Sequence, residues 1–159
     1  MSKKIYISAF VFIIVWFISF IGTNDIINWC IENILTFLTV IVVVLTYKYY
    51  KFSALSYALL SFFLCLHVIG SQYTYAENPL GFWLQNNLNL ERNPYDRIVH
   101  FSFGILLYFP MKEFFLTHLN YPKHLATHLP TVLVLALSGG FEIIEWLVAD
   151  IFFPEHGDA

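Results

Sequence analysis

The run IYISAFVFIIVWFISFIG, Ile5 to Gly22, contains no Asp, Glu, Lys or Arg, and a second run, FSALSYALLSFFLCLHVIGSQ from Phe52 to Gln72, repeats the feature. At a rise of about 1.5 Å per residue each is long enough, as a helix, to cross a hydrocarbon layer of about 30 Å. The rest of the chain agrees. Of its 159 residues 58% are hydrophobic and only 12% charged, where soluble domains carry about 25% charge. A water-soluble fold has no interior large enough to hide that much apolar surface, so the chain reads as an all-α, polytopic transmembrane helix bundle.

The first run follows Lys3 and Lys4, as a secretory signal would. It is longer than the usual signal core, however, and ends in Phe20-Ile21-Gly22-Thr23-Asn24 with no small-x-small cleavage site, so it reads as a retained first helix. Five spans fit, near 5–22, 33–50, 53–70, 97–115 and 129–153, within one membrane domain covering 1–159. The second ends in Tyr47-Lys48-Tyr49-Tyr50-Lys51, where rings suit the head-group layer and lysines snorkel to water. With the N-terminus in the cytoplasm, Lys3, Lys4, Lys48, Lys51, Lys112 and Lys123 fall inside and only Arg92 and Arg97 outside. That distribution obeys the positive-inside rule.

The external connection then runs from Ser71 to Tyr95. It carries the turn signals Asn78-Pro79, Gly81 and Asn93-Pro94, and Phe82-Trp83-Leu84 is apolar enough to lie in the interface as a short amphipathic or re-entrant piece. Cys30 and Cys65 form no disulfide framework. The net charge of -3, without a basic patch, excludes nucleic acid as a partner. Membrane lipid is the partner class that composition supports.

Ionisable groups at membrane depth cost a few kcal/mol each and usually face the bundle interior. Three clusters stand out. His67 lies near the end of the third span. Asp96 and His100 share a helix face at i, i+4, overlapped by the stripe Arg97, His100, Gly104 and Tyr108; Asp96-Arg97 also suits a helix start, as N-cap and interface anchor. Glu142 and Glu145, at i, i+3 in an apolar helix, would repel unless a cation such as Arg97, a metal or a shared proton compensates them. Lys112 and Glu113 read as the terminus of the fourth helix. By rise per residue His67 and His100 sit about 5 Å, and Glu145 about 12 Å, from the external ends of their helices. All three clusters therefore share the outer half of the membrane, in a polar pocket roofed by the loop bearing Tyr73, Tyr75 and Glu77. His67, His100, Glu142 and Glu145 together offer imidazole and carboxylate donors suited to zinc or another divalent metal.

The stretches His67-x-x-Gly70-x-x-Tyr73-Thr74-Tyr75-Ala76-Glu77, Arg92-Asn93-x-Tyr95-Asp96-Arg97-x-x-His100-Phe101 and Glu142-Ile143-Ile144-Glu145-Trp146, in that order, resemble the YjdF-like family of bacterial inner-membrane proteins, a domain of unknown function distantly similar to VanZ-like membrane proteins. The resemblance runs from about His67 to Trp146 and implies that the three clusters are signature positions. It departs at the C-terminus. Family members continue into a polar Gly-Asp-x-x-Asp-type segment and a last helix, whereas Glu155-His156-Gly157-Asp158-Ala159 holds only the start of such a segment; the expectation is a shortened form, inactive if the rest supplied acidic groups.

Two functions compete. In the first, the pocket binds or acts on an envelope or lipid head group from the external leaflet. His100 is then base or ligand, Glu142 and Glu145 supply acid chemistry, Arg97 holds an anionic group, and His67, Tyr73, Tyr75, Glu77 and Asp96 line the site. In the second, a structural or interaction subunit uses the same clusters only to lock helix packing. A transporter is a weaker third, since five spans without inverted repeats give no alternating halves. Metal analysis by mass spectrometry in mild detergent tests the metal reading. A stoichiometric divalent ion, lost in the Glu142→Ala, Glu145→Ala double variant, supports it, and a folded metal-free protein removes it.

Overall fold

The computed structural model describes residues 3–152, and their side chains except at 144, 145 and 148–152. Among the described residues every regular element is helical: α1 Lys3–Gly22, α2 Ile26–Glu32, α3 Ile34–Thr46, α4 Ala54–Gln72, α5 Pro79–Leu88, α6 Tyr95–Thr117 and α7 Lys123–Phe152. By length and composition α1, α4, α6 and the part of α7 from Lys123 to Ile143 each suffice to cross a membrane. A fifth span arises only if α2 and α3, bent by 42° to one another, count together. The described residues thus form an all-α membrane protein fold of four or five candidate spans.

The second span departs from its expected limits of 33–50. Its 13-residue α3 covers only about 20 Å alone, and the helical path begins at Ile26. Asp25 starts it, its carboxylate accepting from the Asn28 amide at 2.9 Å. The bend falls at Asn33. There the side-chain amide donates to the Trp29 carbonyl one turn back at 2.9 Å, competing with the backbone ladder, and to Ser71 Oγ at 2.9 Å, while its oxygen accepts from the Trp16 indole at 2.8 Å. Asn33 is fully buried and joins α1, α2 and α4.

Helix α4 is the centre of the bundle, packed on α1 along one side and on α6 along the other, with α7 against α6. Phe12 of α1, Phe63, Leu64 and Val68 of α4, and Tyr95 and Val99 of α6 form the buried core. The faces turned away are apolar. Phe10 and Phe17 of α1 are each 64% exposed, which suits acyl chains and would not suit water. Gly22 meets Gln72, so α1 and α4 run parallel, and α6 returns antiparallel with Tyr95 Oη donating to the Leu66 carbonyl at 3.0 Å. These directions collect Lys3, Lys4, Lys48, Lys51, Lys112 and Lys123 at one end of the bundle and Arg92 and Arg97 at the other.

Glu113 does more than end α6. Its carboxylate accepts from the Ser53 amide at 2.6 Å, from Ser53 Oγ at 2.8 Å and from Ser56 Oγ, closing the open N–H groups and positive dipole end of α4 from the neighbouring helix. The connection 71–95 contains α5, capped by Asn78 and led by Pro79, with Leu80, Phe82, Trp83 and Leu88 exposed. Gly81 is required there because a Cβ would run into the Asn93 side chain, which holds the loop through the Asn78 carbonyl at 3.0 Å. Asp96 stands in the first turn of α6 but makes no capping hydrogen bond among the described residues; Asn93 accepts from the Tyr95 amide at 3.0 Å.

Replacing Asn33 by Ala strands the Trp16 and Ser71 groups. The expected cost is about 1–3 kcal/mol, read as a lower unfolding temperature in detergent, with Asn33→Asp recovering part of it.

Candidate functional site

Helix α4 ends at Gln72, and the chain turns back over that end through Thr74 and Tyr75, both left-handed at φ 53° and 55°. Such residues cost about 1–2 kcal/mol each without glycine. The turn is held by what it delivers: the Tyr75 ring lies against Gly70, where any Cβ would collide with it, and its hydroxyl reaches His67 Nδ1 at 2.5 Å. On the other side His67 Nε2 faces the Glu32 carbonyl at 3.1 Å. A carbonyl only accepts, so Nε2 carries the proton and Nδ1 accepts from Tyr75. His67 is buried, stacked beside Phe63, and spends both ring nitrogens on the protein.

One turn into α6 the i, i+4 spacing brings His100 Nε2 to 3.3 Å from Asp96 Oδ1. Helix α7 adds Glu142, whose Oε1 stands 3.7 Å from His100 Nδ1, with the Phe141 ring 5.9 Å from the imidazole. His100 therefore lies between two carboxylates contributed by two helices.

These groups close one end of a groove of about 880 Å³. Glu32, His67, Tyr75, Asp96 and His100 line that end, and the walls continue through Leu35, Leu38, Phe63, Phe103 and Leu137 to Met111 and Phe114. The groove follows α3 on one side and α6 and α7 on the other. Everything between its ends is nearly apolar, and no Lys or Arg is among its described lining residues.

Several expected partners stand elsewhere. Arg97 is exposed on α6, and among the described residues the His100 imidazole, not Arg97, stands beside Glu142. Of the loop residues Tyr75 alone reaches His67; Tyr73 is half-buried and Glu77 exposed. Among the described residues no three His, Cys, Asp or Glu approach closely enough to share a metal. His67 lacks a spare lone pair for one, and the Glu145 side chain lies outside the described residues. Glu32 and Asn33 went unmarked in the sequence because their roles depend on a carbonyl and an amide meeting α4, 35 and 38 residues away.

A comparison of the whole chain identifies its relatives. The family model described as "Predicted membrane protein (DUF2238)" matches residues 5–159. The chain belongs to that family. It is similar to the Inner membrane protein YjdF of Escherichia coli (strain K12), with 30% identity over 146 residues that cover 87% of this chain and 70% of the relative. No solved structure matches it. The family assignment agrees with the signature stretches, and the polar end of the groove lies where all three of them meet: His67 and Tyr75, Asp96 and His100, and Glu142.

Coupling between the loop and α4 is measurable. Tyr75→Phe and His67→Ala are each expected to lower stability in detergent by about 1 kcal/mol. The double variant should fall short of their sum, as a shared hydrogen bond requires.

Proposed function

We propose that this member of the family is a bacterial inner-membrane protein that binds a lipid, its head group at the Glu32, His67, Tyr75, Asp96, His100 and Glu142 end of the groove and an acyl chain along the apolar remainder. The observation that carries the reading is the groove's own polarity. A long apolar channel ending in a compact set of titratable groups matches an amphiphile and matches neither a small polar solute nor an ion. Its length supports the reading too. Thirteen residues of α3 amount to about 20 Å, slightly more than the roughly 15 Å of hydrocarbon in one leaflet.

With Lys3, Lys4, Lys48, Lys51, Lys112 and Lys123 in the cytoplasm the polar end faces outward, so the lipid enters from the external leaflet. Alkaline phosphatase fused after Asn89 is then expected to be active, and the same reporter after Lys51 or Asn120 inactive; the reverse pattern would turn the site toward the cytoplasm. A packing role for the polar residues has its own observation, the complete satisfaction of His67 by Tyr75 and Glu32. The two readings part on one experiment. Ala136, at the groove wall, changed to Phe should fill the channel and cut the lipid retained in native mass spectra several-fold while the unfolding temperature holds. Unchanged retention would leave the clusters with packing alone.

A further inference from the structure

Hydrogen-bonding capacity at the polar end of the groove is unevenly spent. Tyr75 aims its O–H at His67 Nδ1, and His67 aims its N–H at the Glu32 carbonyl. The two ring nitrogens of His100 face Asp96 and Glu142. The donors of Tyr75 and His67 are thus directed at protein acceptors. Acceptors remain in surplus, since each carboxylate has two oxygens and about four lone-pair positions, and both Glu32 and Asp96 line the groove. The charge balance leans the same way. Two carboxylates, Glu32 and Asp96, line the groove beside the His100 imidazole, and no Lys or Arg is among the described lining residues. The wall beside them is aromatic, with Phe63, Phe103, Phe141 and Tyr75 in the lining, and aromatic rings attract cations.

Resting on the lipid-binding reading, we infer that the head group this groove selects carries a primary ammonium, which brings the hydrogen-bond donors and the positive charge that the polar end lacks. A head group that offers only anionic oxygens meets like charge, and the Tyr75 and His67 donors are already directed at the protein. This reverses the role expected for Arg97 as a clamp for an anion: the described surface of the groove selects for a cation, and Arg97 stands outside it.

The test uses the full chain in a neutral detergent, incubated with equal mole fractions of phosphatidylethanolamine and phosphatidylglycerol of identical acyl chains and read by native mass spectrometry. Both probes contain the phosphate and differ in the terminal group, an ammonium against a glycerol diol; the acetylated lipid then isolates the charge. At least about ten-fold preferential retention of phosphatidylethanolamine is expected, lost when its amine is acetylated and reduced in Glu32→Gln, Asp96→Asn protein. Equal retention of the two lipids, preference for phosphatidylglycerol, or full retention of the acetylated lipid by the unmodified protein would overturn the ammonium assignment and leave lipid binding standing. Retention of neither lipid above the level of the Ala136→Phe protein would remove the lipid reading itself.

Discussion

One buried amide, that of Asn33, sets the geometry on which the rest depends. In hydrocarbon a polar group finds no water, so its bonds must be made within the protein. Asn33 makes them to three helices at once, through Trp16, the Trp29 carbonyl and Ser71. The side chain is satisfied in this way at the break where α2 and α3 are bent by 42° to one another. The bend turns the last carbonyl of α2, that of Glu32, onto His67 and leaves α3 standing apart from α6 and α7.

The two ends of α4 are treated in opposite ways. At its start Glu113 reaches across from α6 and saturates the Ser53 and Ser56 donors, a closed arrangement that fixes the pair of helices. At its finish the chain accepts two left-handed residues in order to lay Tyr75 over Gly70 and onto His67. Strain of that kind persists only where the surroundings over-determine it, and it marks this end as the place where stability was spent on geometry. The tightly satisfied end anchors the bundle, and the end with surplus acceptors faces the groove.

Lipid-facing surface and groove are both apolar, but they differ in shape and therefore in what they hold. On α1 the exposed Phe10, Phe17 and Ile21 form a convex face that any acyl chain can cover loosely. Between α3 and α7 the apolar wall is concave and ends in charge, which fixes one end of whatever lies in it. Selectivity in such a site comes from the polar end, because the apolar wall treats all chains alike.

Hydropathy and helical period alone determined much of this. The two charge-free runs required membrane helices, the turn residues marked the connection from Ser71 to Tyr95, and the i, i+4 spacing paired Asp96 with His100, because each of these depends on neighbours within one turn or one span. The signature stretches led to the family for the same reason, being contiguous in the chain. Tertiary structure decided the rest. That the helical path of α2 and α3 begins at Ile26 and bends, that Asn93 accepts from the first amide of α6, that Glu142 meets His100 while Arg97 is exposed, and that Glu113 caps a helix 60 residues distant are outcomes of packing between helices. Local periodicity states which face of a helix a residue occupies. Which helix lies against that face is set by how the apolar surfaces and buried amides of all of them are satisfied together.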